Sequence, residues 1–151
     1  MSALGGMKKA LISLIYSHKP KVEEPKPHLF NWGKFISHSG KELNYKIDCD
    51  ALTDQDLDCL AQLVNSKLPC GFKTVIGVPR GGLRFAKALT PYCREGGYYH
   101  LVCDDVLTTG KSMRRTMDKL KLSPTIGIVI FSRTKDEGYH PGILTCFSLT
   151  S

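Results

Sequence analysis

The stretch from Tyr98 to Lys119 constrains the fold most strongly, because it joins an apolar run, two carboxylates, a small turn and a helical pattern. The run from Tyr98 to Cys103 is rich in aromatic and apolar residues and predicts a buried strand that ends on Asp104 and Asp105. Burying two like charges together is costly. We therefore expect both carboxylates at the carboxyl end of the strand, facing solvent or a ligand.

A small, hydroxyl-rich turn follows and consists of Thr108, Thr109, Gly110, Lys111 and Ser112. Ser112 is the expected cap of a helix that carries Met113, Met117 and Leu120 at helical spacing. Such a turn directs backbone N–H groups and the positive end of a helix dipole at one spot, which suits a phosphate. The neighbouring carboxylates can accept hydrogen bonds from vicinal hydroxyls or hold a magnesium ion. The implied ligand is a phosphorylated sugar.

Two alternatives compete with this interpretation. Gly110, Lys111 and Ser112 match the last three positions of a nucleotide P-loop, but Asp105 occupies the place where that motif needs its first glycine. The other alternative is a strand, an acidic turn and an ordinary capped helix without a ligand. The coincidence of strand, paired Asp, Thr-Thr-Gly turn and helix favours a functional site.

A second candidate loop connects a strand predicted at Thr74–Val78 to a helix predicted from Leu83 to about Tyr92. The loop contains Pro79, Arg80, Gly81 and Gly82. Two adjacent glycines let main-chain amides approach an anion closely. For this segment alone, a tight structural turn is an equally good interpretation.

Alternation of strands and helices predicts an α/β fold with a parallel sheet and right-handed crossovers. The further predicted elements are a helix at Ala51–Leu68, capped by Thr53, and strands at Thr125–Phe131 and Ile143–Leu149. Ligands in such sheets bind at the carboxyl ends of the strands. The loops expected to converge there are Pro79–Gly82, Asp104–Ser112 and Ser132–Gly138.

The chain divides into a leader and one domain. We expect residues 1–29 to be a leader and a linker that contains Pro20, Pro25 and Pro27, and residues 30–151 to be the domain. Within the domain, residues 30–50 contain two strand-like runs around Ser39–Gly40, which predicts an antiparallel hairpin ahead of a core at 51–151.

These motifs resemble the type I phosphoribosyltransferases, and most closely the orotate phosphoribosyltransferases. The central stretch resembles their signature for 5-phosphoribosyl-1-diphosphate, and residues 30–50 resemble their N-terminal hood. In the hood, the matching residues are Phe35, Ser39, Gly40, Tyr45 and Asp48. His38 stands where the family usually has lysine, and Lys46 where it usually has an aromatic residue. The implied fold is a parallel-sheet, Rossmann-like phosphoribosyltransferase core with a small hood.

The resemblance also implies an activity and a set of site residues. The activity is that of a pentosyltransferase of pyrimidine biosynthesis, which joins a base, with orotate or a related pyrimidine favoured, to the ribose 5-phosphate of 5-phosphoribosyl-1-diphosphate and releases diphosphate. The implied catalytic residues are Asp104, Asp105 and Arg80, and both aspartates would hold the cofactor Mg²⁺. The implied substrate-binding residues are Val78, Pro79, Gly81, Gly82, Leu107, Thr108, Thr109, Gly110, Lys111, Ser112, His38 and Lys41.

One departure from the family bears on catalysis. Only Cys93–Gly97 separates the second helix from the central strand, whereas typical members insert a strand and a long mobile loop that closes over the diphosphate. A homodimer that shares its sites, as in many family members, would replace this loop. The alternative function is a non-catalytic regulatory protein that binds phosphoribosyl diphosphate or a nucleotide.

Charge and cysteine content restrict the possible partners and the compartment of the protein. The 21 Lys and Arg residues against 14 Asp and Glu give a formal charge of +7, which attracts anions of any kind. No aromatic-basic motif is evident, so the sequence does not favour nucleic acid as a partner. The six cysteines lack C-x-x-C spacing, and the apolar run at Ala10–Tyr16 is shorter than the roughly 18 residues of a membrane span. We expect a cytoplasmic protein without a membrane segment.

Overall fold

The structure, a computed structural model, describes residues 27–37, 40–133 and 142–149. Six strands and three α-helices make up the described chain, with short 3-10 turns at Cys49–Ala51 and Thr90–Tyr92. In chain order the elements are β1 (Phe30–Ile36), β2 (Glu42–Ile47), α1 (Asp54–Lys67), β3 (Phe72–Gly77), α2 (Gly82–Leu89), β4 (Tyr99–Leu107), α3 (Lys111–Leu120), β5 (Thr125–Ser132) and β6 (Ile143–Ser148).

The first two strands form the predicted hairpin. They pair antiparallel, with Phe30 opposite Ile47 and Ile36 opposite Glu42. The turn closes through a hydrogen bond of 2.9 Å from the backbone N–H of Ser37 to the carbonyl of Lys41. Residues 38 and 39 of the predicted turn lie outside the described residues. We call this hairpin the hood.

The remaining four strands form one parallel sheet in the order β3-β4-β5-β6. Side chains alternate across β4, so Leu101 and Cys103 belong to one buried cluster and Val102 to another. Helices α1 and α2 cover the first face, and α3 covers the second through Met113. The predicted α/β class with a parallel sheet and a small hood is confirmed.

The two helical crossovers differ in hand. Both step from one strand to its neighbour in the same direction, yet α2 and α3 lie on opposite faces of the sheet. One of them is therefore left-handed, and the expectation of right-handed crossovers throughout is wrong, although about 98% of such connections are right-handed. The two helices differ in what they pack against: Phe85 and Leu89 of α2 lie in the same buried cluster as Leu57 of α1, whereas Met113 of α3 lies in the other cluster.

Helix α1 starts at Asp54, three residues later than predicted, because Cys49–Ala51 forms a separate 3-10 turn. The predicted cap at Thr53 is confirmed: its hydroxyl accepts a hydrogen bond of 3.1 Å from the backbone N–H of Asp56. In the part of the chain that the structure describes, no helix is long and apolar enough to cross a membrane.

Candidate functional site

The carboxyl ends of the parallel strands bring the candidate loops to one edge of the sheet. Residues 78–82 follow β3, residues 108–112 follow β4 and Arg133 follows β5. Strand pairing fixes this arrangement, because Gly77 lies opposite Cys103, and Leu107 lies opposite Ser132. Residues 134–138 of the third predicted loop lie outside the described residues.

Asp104 and Asp105 lie inside β4, which runs on to Leu107. The predicted end of the strand at the carboxylates is wrong, because β5 continues the ladder alongside: Val106 pairs with Phe131. The Cβ atoms of adjacent strand residues point to opposite faces of the sheet, but both carboxylates turn along the strand towards its carboxyl end. Both carboxylates are half-buried, and each accepts a hydrogen bond from the next backbone N–H, at 2.9 Å for Asp104 and 2.7 Å for Asp105.

Burial changes the chemistry of Asp104. Desolvation raises the pKa of its carboxyl group from 3.8 to about 7, and the negative charge of Asp105 adds to the rise. The hydrogen bond from the backbone N–H of Asp105 opposes it. The Asp104 carboxyl group therefore changes between its neutral and its charged form close to neutral pH.

The loop of residues 78–82 packs directly on β4, and its paired glycines allow this close approach. A Cβ added to Gly81 would collide with the carboxylate of Asp105, and one added to Gly82 would collide with the carbonyl of Cys103. The backbone N–H of Val78 donates to that same carbonyl at 2.8 Å. The absence of two side chains thus lets the loop touch the aspartate pair. The Pro79–Arg80 peptide bond is cis.

The start of α3 differs from its predicted form. Gly110, not Ser112, is the N-cap, and its backbone is left-handed with φ of 70°. A glycine adopts this conformation without steric cost, which lets the helix begin directly at Lys111. Among the described residues no side chain caps this end, and its first turn holds no acidic residue. Its backbone donors are available to an anion, with Thr108 and Thr109 exposed beside them.

Several solved structures are similar to this chain in fold. An orotate phosphoribosyltransferase from Aeropyrum pernix is similar with a TM-score of 0.62 and 22% identity, over 80% of this chain and 88% of that one. The Mycobacterium tuberculosis H37Rv orotate phosphoribosyltransferase gives a TM-score of 0.63 and 17% identity, over 80% and 89% of the two chains. The chain has the type I phosphoribosyltransferase fold. At these identities the likeness shows the fold alone.

Another similar structure is a hypothetical protein from Neisseria gonorrhoeae with bound ppGpp. It has a TM-score of 0.52 and 13% identity, over 66% of this chain and 82% of that chain. No family model and no curated protein matches the sequence.

Within this phosphoribosyltransferase fold, the link between α2 and β4 is short and tied to the sheet. The backbone N–H of Arg94 donates to the carbonyl of Phe72 at 2.8 Å, and Gly97 packs against the backbone of Phe72. Phe72 is the first residue of β3. The link therefore lies at the amino ends of the strands, away from the candidate site, and cannot cover it.

Arg133 connects the hood to the carboxyl edge, and sequence reasoning did not single it out. Its guanidinium donates to the carbonyl of Tyr45 at 2.6 Å and lies 4.3 Å from the centre of the Tyr45 ring. Its backbone N–H donates to Leu107 at 2.9 Å. The available signal was an arginine directly after a buried strand. Of the predicted hood residues, Lys41 is exposed in the turn, and His38 lies outside the described residues.

The aspartate pair limits how a metal ion could bind. Among the described residues, no group of three or more His, Cys, Asp or Glu side chains is arranged to hold a metal. Mg²⁺ in nucleotide enzymes commonly takes one or two carboxylates and completes its shell with phosphate oxygens and water. A magnesium ion bound by this aspartate pair would therefore need phosphate oxygens and water as its further ligands.

Proposed function

We propose that the protein is a phosphoribosyltransferase, which joins a nitrogenous base to the ribose 5-phosphate of 5-phosphoribosyl-1-diphosphate and releases diphosphate. The observation that carries the proposal is the contact between Gly81 and the carboxylate of Asp105, within a phosphoribosyltransferase fold. This contact joins a loop suited to diphosphate to a carboxylate pair suited to ribose hydroxyls. Orotate or a related pyrimidine is the favoured base, because the similar structures are orotate enzymes.

The sugar phosphate would bind to β4 and the start of α3. Asp104 and Asp105 accept hydrogen bonds from the two ribose hydroxyls, and the backbone N–H groups of residues 108–112 bind the 5-phosphate. We call residues 108–112 the phosphate cradle. Leu107 is buried and its carbonyl accepts from the backbone N–H of Arg133, so it would position the cradle without touching the phosphate through its side chain. This placement orients C1 of the sugar towards the loop of residues 78–82.

The leaving diphosphate would bind to the backbone N–H groups of Arg80 and Gly81 and to the exposed side chain of Arg80. The N–H groups of Val78 and Gly82 donate to carbonyls within the fold, so these two residues shape the loop. Magnesium, when bound with the substrate, supplies positive charge to the leaving group. The reaction passes through a cationic sugar, so the protein positions the reactants and stabilises the separating charges. The short link of residues 93–98 leaves water with access to this sugar.

A base screen tests the proposal. Purine and pyrimidine bases are incubated with 5-phosphoribosyl-1-diphosphate and magnesium, and products are identified by mass spectrometry. We expect one nucleoside monophosphate together with some free ribose 5-phosphate from hydrolysis. The Asp105→Asn variant tests the assigned site, because it keeps the volume of the side chain and removes its charge. We expect it to form less product than the wild type. Product formation that is unchanged in this variant would contradict the assigned site.

A second candidate function is that of a regulatory protein that binds a phosphoribosyl compound or nucleotide without turnover. Two observations favour it: the link of residues 93–98 lies at the far end of the sheet, and a similar structure contains ppGpp. Calorimetric titration with phosphoribosyl diphosphate, nucleoside monophosphates and ppGpp distinguishes the two functions. Tight binding of any of them, without diphosphate release in the presence of every base, would favour regulation.

A further inference from the structure

Helix α3 carries a row of positive charges on its solvent side. All of the residues in the row are exposed, and together with Asp118 they line an open depression of about 740 Å³. We call this row the cationic stripe, and it consists of Lys111, Arg114, Arg115, Lys119 and Lys121. It begins at the proposed phosphate cradle and runs along the whole helix.

The stripe is only partly balanced within the helix: Lys119 and Lys121 lie favourably at its negative end, and Asp118 is the single acidic residue of α3, but the amino-terminal half remains unfavourable. Lys111 and Arg115, like Arg115 and Lys119, are four residues apart, and like charges at this spacing destabilise a helix. Lys111 also lies at the positive end of the helix dipole, where acidic residues are favoured. An anion bound along the helix would relieve both effects.

The length of the stripe excludes a small anion as its full occupant. Helix α3 has ten residues, which corresponds to about 15 Å. A diphosphate or sugar phosphate in the cradle reaches Lys111 but not Lys119 or Lys121 at the other end. A polyanion with regularly spaced charges can contact the whole row.

Two other polyanionic partners fit less well. An amphipathic helix binds a membrane surface most strongly when apolar side chains insert beside its basic ones, but Met113, Met117 and Leu120 of α3 pack on the sheet. A second copy offers five aspartates between residues 48 and 58. That acidic segment leads into α1 on the opposite face of the sheet, so such a contact would join molecules head to tail without closing into a dimer.

We propose that the cationic stripe binds the phosphodiester backbone of a nucleic-acid strand without reading its bases. The absence of an aromatic-basic motif, which weighed against nucleic acid in the sequence, agrees with binding to phosphates alone. The stripe comes together only because helical spacing places charges at positions 111, 114, 115 and 119 on the outer side of α3. This inference does not depend on the proposed transferase activity.

The test measures the binding of fluorescein-labelled 20-nucleotide RNA and DNA strands of mixed sequence to the full chain, by anisotropy at several salt concentrations. Each phosphate neutralised on a single strand contributes about −0.7 to the slope of log K against log salt, so three to five contacts give a slope of about −2 to −3.5. We expect equal affinities for the two strands, because they share the phosphodiester backbone.

Charge-matched variants locate the binding surface. The Arg115→Gln/Lys119→Gln/Lys121→Gln variant is expected to lose at least about tenfold in affinity and to reduce the slope by about 2. The control, Lys67→Gln/Lys73→Gln/Lys87→Gln, removes the same charge from exposed positions on α1, β3 and α2 and is expected to bind like the wild type. Circular dichroism checks that both variants are folded.

Several results would overturn the proposal. Equal losses in both variants would mean that only the net charge matters. Absence of binding at 50 mM salt, with or without binding to phosphatidylserine vesicles, would exclude a nucleic-acid strand. Self-association that disappears both at high salt and in the stripe variant, without oligonucleotide binding, would assign the stripe to a second copy.

Discussion

Helices α1 and α3 begin in opposite ways. At the start of α1, the hydroxyl of Thr53 accepts from the backbone N–H of Asp56 at 3.1 Å, and the carboxylate of Asp56 accepts from the backbone N–H of Thr53 at 2.8 Å. The Thr53 hydroxyl also donates to this carboxylate at 2.7 Å, and the bonds that the carboxylate accepts from the hydroxyl and from the backbone N–H of Thr53 lower the pKa of Asp56. At the start of α3, Gly110 has no side chain to offer, and the first residue is Lys111.

The difference separates a helix end that stabilises the fold from one that is open to a ligand. A capping box satisfies backbone donors that the helix itself leaves unpaired. An anion could bind at α1 only by displacing Asp56, whereas at α3 the donors and the positive charge are already in place. We expect changes at α1 to alter stability alone and changes around α3 to alter binding.

The largest expected effect comes from Gly110→Val. A β-branched residue is strained at φ of 70°, so the cradle should lose its shape and the affinity for ribose 5-phosphate should fall by at least about 100-fold. Titration calorimetry measures the affinity. Gly142→Val is the matched control, because Gly142 has φ of 80° and precedes β6 at the opposite edge of the sheet. Unchanged affinity in Gly110→Val would show that residues 108–112 do not bind the phosphate.

The second prediction concerns the contact between the two loops. In Gly81→Ala the new methyl group displaces the carboxylate of Asp105, so binding of magnesium phosphoribosyl diphosphate should weaken by about 10-fold to 100-fold. Gly96→Ala is the control, since no described atom lies within 4 Å of the added Cβ there. Equal affinities in the two variants would show that Asp105 does not contact the ligand.

The third prediction uses the raised pKa of Asp104. Because its pKa is about 7 in the folded protein and 3.8 when unfolded, the neutral acid favours folding below pH 4, and this contribution is lost as the pH rises through 7. Asp104→Asn should therefore match the wild type at pH 4 and be more stable at pH 8. After a discount for partial exposure we expect a gain of about 2 kcal/mol, or about 4–8 °C in Tm.

Thermal unfolding of the ligand-free protein from pH 4 to pH 8 measures this difference. Asp58→Asn, which removes an exposed carboxylate of α1, is the control and should show no such pH dependence. If Asp104→Asn is less stable than the wild type at pH 8, a positive group must hold this carboxylate charged, and the buried pair would be structural. Weaker binding of the magnesium complex should accompany the gain in stability, because the charge that destabilises the fold serves the ligand.

Features set by neighbouring residues were predictable from the sequence. Local rules predicted the helix cap at Thr53, the tight loop at Gly81 and Gly82 and the buried strand β5, and the structure has all three. The resemblance to the phosphoribosyltransferases supplied the fold, which the similar structures confirm. The roles of the aspartate pair and of the two loops stay predictions until a ligand is tested.

Features set by distant residues were not predictable. The length of β4 depends on its pairing with β5, where Leu107 lies opposite Ser132. The side of the sheet that α2 covers depends on its packing against α1. At α3, the preference for a hydroxyl cap pointed to Ser112, but a left-handed glycine starts the helix two residues earlier. The hydrogen bond from Arg133 to the carbonyl of Tyr45 exists only because the fold places the hood beside the end of β5.

The smallest expected effect completes the comparison of the two helix starts. Thr53→Ala removes the hydroxyl that caps α1, and replacements of this kind cost about 1 kcal/mol. For a chain of this length the loss corresponds to a fall in Tm of about 2–4 °C. Affinity for ribose 5-phosphate should not change, because Thr53 belongs to the helix end that is already satisfied. A loss of affinity at constant stability would show that α1 also contributes to the ligand site. The division between a stabilising and a binding helix end would then fail.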